Sequence, residues 1–154
     1  MATGLPALDP AQLSAANINP DTGLATDYLN HFNEAAMLAD MLPAMPEMAE
    51  ELLAWAPRAY DAHFRITGFR DAELVIAAWK ACDPQVLMAF EAACAAVEGL
   101  MARLQEAIRS AAPPESYAPD LAAALYAAIS QADGVIHGRR PETAAQSDID
   151  ALFD

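Results

Sequence analysis

Basic side chains are scarce in this sequence: Lys and Arg number 8 against 22 Asp and Glu, for a formal net charge of -14. Nucleic-acid binding draws on clustered cations that displace counterions, so such a surface repels phosphate backbones. Anionic bilayers are repelled for the same reason. The partners this balance favours are proteins, with neither nucleic acid nor membrane expected. Cysteine is scarcer still, with Cys82 and Cys94 alone. They form no C-x-x-C, so zinc and thiol-redox spacings are missing and two buried free thiols are expected. β-Branched residues are sparse, which disfavours a sheet. No apolar run reaches the ~18 residues of a membrane span without a charge. The opening stretch MATGLPALDPAQLSAANINP has neither a basic nor an apolar leader region, so a cytoplasmic protein is expected. No G-x-S-x-G, P-loop or dinucleotide fingerprint occurs, and no repeat at a solenoid period.

What is present points to helices. The 154 residues suffice for one domain with a real core. Much of the 55% hydrophobic content is alanine, the best helix former. The expected fold is all-α, a small helical bundle over 26–137, preceded by an arm (1–25) that is mostly loop. In that arm Asp9 and Pro10 suit the cap and first position of one short helical turn.

Punctuation divides the bundle. Thr26 is a plausible N-cap for a helix over 26–42, ended by Pro43. Further helices are expected over 46–56, from Pro57 to Ile66, and over 71–82. Asp83 and Pro84 repeat the cap signal and open a long helix to about residue 111. Pro113 and Pro114 break it, and a last body helix runs over 120–136. On the long helix Val86, Phe90, Cys94, Val97, Met101, Leu104 and Ile108 recur at helical spacing, the mark of a core stripe. The first, long and last helices suit the frame of an antiparallel bundle. Trp55, Tyr60 and Trp79 sit on the shorter helices and are expected to pack beneath it. Residues 138–146 are polar and hold a proline, which reads as a linker.

The chain closes on QSDIDALFD. Ser147 is a good N-cap, Asp150 stands three residues on, and Asp148 lies where a helix dipole favours an anion. Ile149, Leu152 and Phe153 then share one face. So short a helix is unstable alone and needs a groove. Burying the three side chains contributes about 1.5–3 kcal/mol each. Ordering the peptide costs on the order of 2–5 kcal/mol. The balance suits docking of about micromolar strength.

This segment resembles the N-terminal peptide of the flagellar motor switch protein FliM, whose pattern is close to S-Q-x-E-I-D-A-L-L. Gln146, Ile149, Asp150, Ala151 and Leu152 match, while Asp148 stands for Glu and Phe153 for Leu. The resemblance implies binding of a CheY-like response regulator, in chemotaxis or a related two-component pathway of bacterial motility. The order helical body, linker, terminal helix is also similar to the layout of the chemotaxis phosphatase CheZ. That family's catalytic stretch, QD-hydrophobic-TGQ, is absent. The resemblance covers about nine residues and leaves the body unassigned.

The body's most polar constellation is TDYLNHFNEAAM. As one continuous helix it would set Asp27, Asn30, His31 and Glu34 on one face. Known response-regulator phosphatases place an acid and an amide on one helical face, as Glu-x-x-Asn or Asp-x-x-x-Gln. Asp27-x-x-Asn30 is similar to the first. In that role Asn30 aligns the attacking water and Asp27 orients the regulator's lysine, with Mg on the regulator and no cofactor on this chain. The plainer reading is a solvated face of an acidic protein. Phosphotransfer through His31 lacks a nearby lysine. Metal binding by Asp27, His31 and Glu34 lacks the Glu-x-x-His pairs of di-iron bundles. The competing function is a non-catalytic adaptor whose tail packs on its own bundle or on a second copy, as in a homodimer.

Overall fold

The computed structural model describes residues 8–138. The chain is an all-α bundle: α1 (Pro10–Ala15), α2 (Asn30–Met41), α3 (Met48–Ala54), α4 (Tyr60–Ile66), α5 (Ala72–Lys80), α6 (Pro84–Arg109) and α7 (Ala118–Ile136). Short 3-10 helices span Thr26–Leu29 and Pro114–Ser116. The linker from 139 on and the terminal helix lie outside the described residues.

The long helix starts where its sequence signals. Asp83 accepts a hydrogen bond from the Gln85 amide at 2.8 Å, with Pro84 at the first helical position. Asp9 does the same for the Ala11 amide at 3.0 Å. Each carboxylate satisfies an amide that has no partner within its own helix. The stripe of α6 buries Phe90, Cys94, Val97, Met101 and Leu104, while Val86 and Ile108 are half-buried. Helix α7 packs against both α6 and α2, so the three long helices form the frame. By length and mean hydropathy (1.4) α6 is apolar enough to cross a membrane. Glu91 and Glu98 interrupt its surface, and its stripe lies in the core.

The N-terminal arm is fastened to the body. Leu13, Ala16, Ile18, Leu24 and Ala25 are buried in the common core. One isolated β-bridge pairs Ile18 with Ala25. The Thr22 hydroxyl donates to the Ile136 carbonyl at 2.7 Å, and the Cys82 thiol donates to the Thr22 carbonyl at 3.0 Å. Gly23 sits at φ 79°, and a Cβ there would meet the Ala78 carbonyl oxygen at 3.0 Å. Only glycine fits this approach without strain.

The first frame helix differs from its expected form. Thr26 does not cap it: residues Thr26–Leu29 wind as a 3-10 helix and α2 begins at Asn30. The cause is tertiary. Tyr28 is buried and its hydroxyl donates to the Arg58 carbonyl at 2.5 Å, while the Ala25 amide donates to the Tyr60 hydroxyl at 2.8 Å.

Candidate functional site

The tighter winding decides where the polar residues go. Three residues make one turn of a 3-10 helix, so positions i and i+3 eclipse. Asn30 therefore stands over Asp27, and its Nδ2 donates to Asp27 Oδ1 at 3.1 Å. The acid and amide are brought together, with Asn30 exposed and Asp27 half-buried.

His31 departs from the expected common face. The change from about 120° to about 100° per residue at Asn30 turns it inward. It is buried, with its Nδ1–H donating to the Tyr28 carbonyl at 2.6 Å. The carbonyl can only accept, so the proton sits on Nδ1 and the lone pair on Nε2. The ring stacks on Trp55 at 5.8 Å between centroids, and Trp55 Nε1 donates to the His31 carbonyl at 3.1 Å. Burial lowers the His31 pKa to about 4, and nearby His63 and Arg58 push the same way against the Tyr28 hydrogen bond. Glu34 remains exposed. The four-residue solvated face is thus split, with His31 in the aromatic core.

The structure brings a further residue to the acid–amide pair. His63, buried on α4, donates from Nε2 to Asp27 Oδ2 at 3.2 Å. Asp27 therefore accepts from Asn30 on one oxygen and His63 on the other. The two imidazoles lie 5.3 Å apart between centroids. His31 Nε2 and His63 Nδ1 have no hydrogen-bond partner among the described residues. No local pattern links Asp27 to His63; only the aromatic residues between and around them, Tyr28, Phe32, Tyr60 and Phe64, foreshadow a shared cluster.

Two clefts flank the extended segment 55–59. One, of about 420 Å³, lies between α2 and α3 and is lined by His31, Glu34, Glu51, Trp55 and Arg58. The other, of about 450 Å³, is more apolar and is lined by Tyr28, Tyr60, Trp79, Phe90, Cys94 and Glu98. Burial raises the Glu98 carboxyl pKa, and it pushes the Cys82 and Cys94 thiols up to about 11 and about 12. Neither thiol is a nucleophile near neutral pH. Among the described residues no three His, Cys, Asp or Glu side chains are placed to share a metal ion. The partner-binding residues Gln146, Asp148, Ile149, Asp150, Leu152 and Phe153 lie outside the described residues.

The fold and this arrangement define a small all-α bundle with a buried histidine pair anchored to a surface acid–amide couple. Comparison with protein-family models, with curated proteins and with solved structures finds no match.

Proposed function

We propose that this chain binds a CheY-like response regulator in bacterial chemotaxis or two-component signalling, as a cytoplasmic protein. The observation that carries the reading is the terminal sequence QSDIDALF after a polar, proline-containing stretch. Ile149, Leu152 and Phe153 enter a groove on the regulator. Asp148 and Asp150 meet basic residues there and set the orientation, and Gln146 precedes the cap.

The body then promotes dephosphorylation. The exposed Asn30 amide aligns a water for attack on phosphorus, the bond from phosphorus to the regulator's aspartate breaks, and inorganic phosphate leaves. Asp27 faces the regulator's lysine while His63 holds its other oxygen. The Asn30–Asp27 hydrogen bond of 3.1 Å, with the amide at the surface, supports this step. The adaptor reading has its own support, since both Asp27 oxygens already have partners within the chain.

Calorimetric titration of the full chain into a CheY-like regulator, with and without a phosphoryl mimic, tests the docking. Affinity should tighten with the mimic and vanish when Leu152 and Phe153 both become Ala. No binding in either state sinks the reading. For the phosphatase step, Asn30→Ala should stop dephosphorylation while leaving binding intact; an unchanged rate leaves a binding protein alone.

A further inference from the structure

The outer face of α2 carries an apolar row that the bundle leaves uncovered. Met37, Met41 and Met45 recur every fourth residue and are 55%, 38% and 37% exposed. Residues at that spacing lie one above the other on a helix. The Met45 amide donates to the Met41 carbonyl at 2.9 Å, which continues the helical spacing past the end of α2. The opposite side of α2 is the buried one, with Phe32, Ala35, Ala36 and Ala39 in the core. The methionines are therefore not core residues caught at an edge.

The charges carried by α2, α3 and the turn between them have one sign, with Arg58 beside Glu34 in the α2–α3 cleft. Glu34, Asp40, Glu47 and Glu50 are all exposed on α2, on α3 and in the turn between them. No Lys or Arg occurs before Arg58. An anionic membrane is repelled by such a rim. A second copy of this chain brings the same acids, and the chain's own terminal segment brings Asp148, Asp150 and Asp154. The occupant that fits is apolar along one stripe and cationic along its flanks.

We propose that the outer face of α2 and the turn into α3 dock a basic amphipathic helix of another protein. Unbranched methionines adapt to varied apolar partners. A row at four-residue spacing is a ridge that fits the groove of a second helix. The acidic rim steers a basic partner and rejects an acidic one, through association rate and specificity. This inference does not rest on the terminal segment, and failure of regulator binding leaves it standing.

The test uses the full chain with [13C]methyl-labelled methionine and an 18-residue Leu/Lys amphipathic peptide as probe, at physiological salt. The methyl signals of Met37, Met41 and Met45 should shift on titration, while those of Met88 and Met101 stay. A Met37→Gln, Met41→Gln, Met45→Gln variant should lose at least tenfold in affinity with its circular dichroism unchanged. The single variant Met41→Gln, closer to the parent, should lose part of it. A Leu/Glu peptide of the same pattern should not bind. The proposal is overturned by shifts centred on Met88, by equal affinity in the triple variant, or by equal binding of the Leu/Glu peptide. It is equally overturned if, without probe, the row is already covered. That would show as a concentration-dependent dimer lost in the triple variant, or as contacts from these methyls to Leu152 or Phe153.

Discussion

His63 Nε2 and Asp27 Oδ2 are hydrogen-bonded at 3.2 Å across α4 and the 3-10 turn, and this bond fixes the carboxylate to which Asn30 donates. The imidazole side of the pair is buried and the carboxylate side is 29% exposed. Removing either partner therefore has unequal effects.

Asp27→Ala leaves a buried imidazole N–H without its acceptor, which costs about 1–3 kcal/mol. Asn30→Ala removes an exposed amide and should stay within about 0.5 kcal/mol of the parent. Urea unfolding of the two variants checks this. Equal losses would show that the Asp27–His63 bond carries no weight.

Stability should fall with acid through His31. Its pKa is depressed to about 4 in the folded chain, against about 6.5 in an unfolded one. The neutral ring is thus favoured by folding. That contribution is fully present above about pH 6.5 and is lost as pH falls towards 4, where the unfolded chain takes up the proton first. Urea midpoints measured from pH 7 to pH 4.5 should drop more steeply for the parent than for His31→Asn. Parallel profiles would place the acid sensitivity elsewhere.

Gly23→Ala combines a backbone φ of 79° with a Cβ 3.0 Å from the Ala78 carbonyl oxygen. The loss should exceed about 1 kcal/mol, since the native conformation is incompatible with the new side chain. Gly138→Ala has a comparable φ of 86° but open space around its Cβ, so it should lose less. Thermal unfolding of both separates the steric part from the backbone part.

Gln105 on α6 donates from Nε2 to the Leu52 carbonyl at 2.9 Å and to the Trp55 carbonyl at 2.8 Å. It anchors the end of α3 and the wall of the α2–α3 cleft. Gln105→Leu should cost about 1–3 kcal/mol, because the Trp55 carbonyl loses this donor while the Leu52 carbonyl keeps the Trp55 amide at 3.3 Å. It should also shift the indole N–H signal of Trp55 while leaving that of Trp79 in place, as read by nitrogen–proton correlation spectra.

Local chemistry made much of the fold legible. Asp9 with Pro10, and Asp83 with Pro84, announce helix starts because a carboxylate and a fixed φ suffice for the first turn wherever it packs. The α6 stripe is legible because one periodicity of apolar residues has one solution in a bundle. The site was legible only in its nearest pair. Asp27 and Asn30 are three apart, and both regular helix and 3-10 turn bring them close. His31 was misplaced because the winding at 26–29 is set by the tie of Tyr28 to Arg58, which no local pattern carries. The partnership of Asp27 with His63 was hidden for the same reason: it is made by the packing of α4 on the 3-10 turn.

The bond from Thr22 to the Ile136 carbonyl joins residues 114 apart in the chain. During synthesis α2 must wait for α7, the helix it packs against most, before its apolar face is covered. At about 5–20 residues per second that wait is on the order of ten seconds. This bundle therefore closes late in its own synthesis, and a nascent chain stalled before α7 should be a target for chaperones.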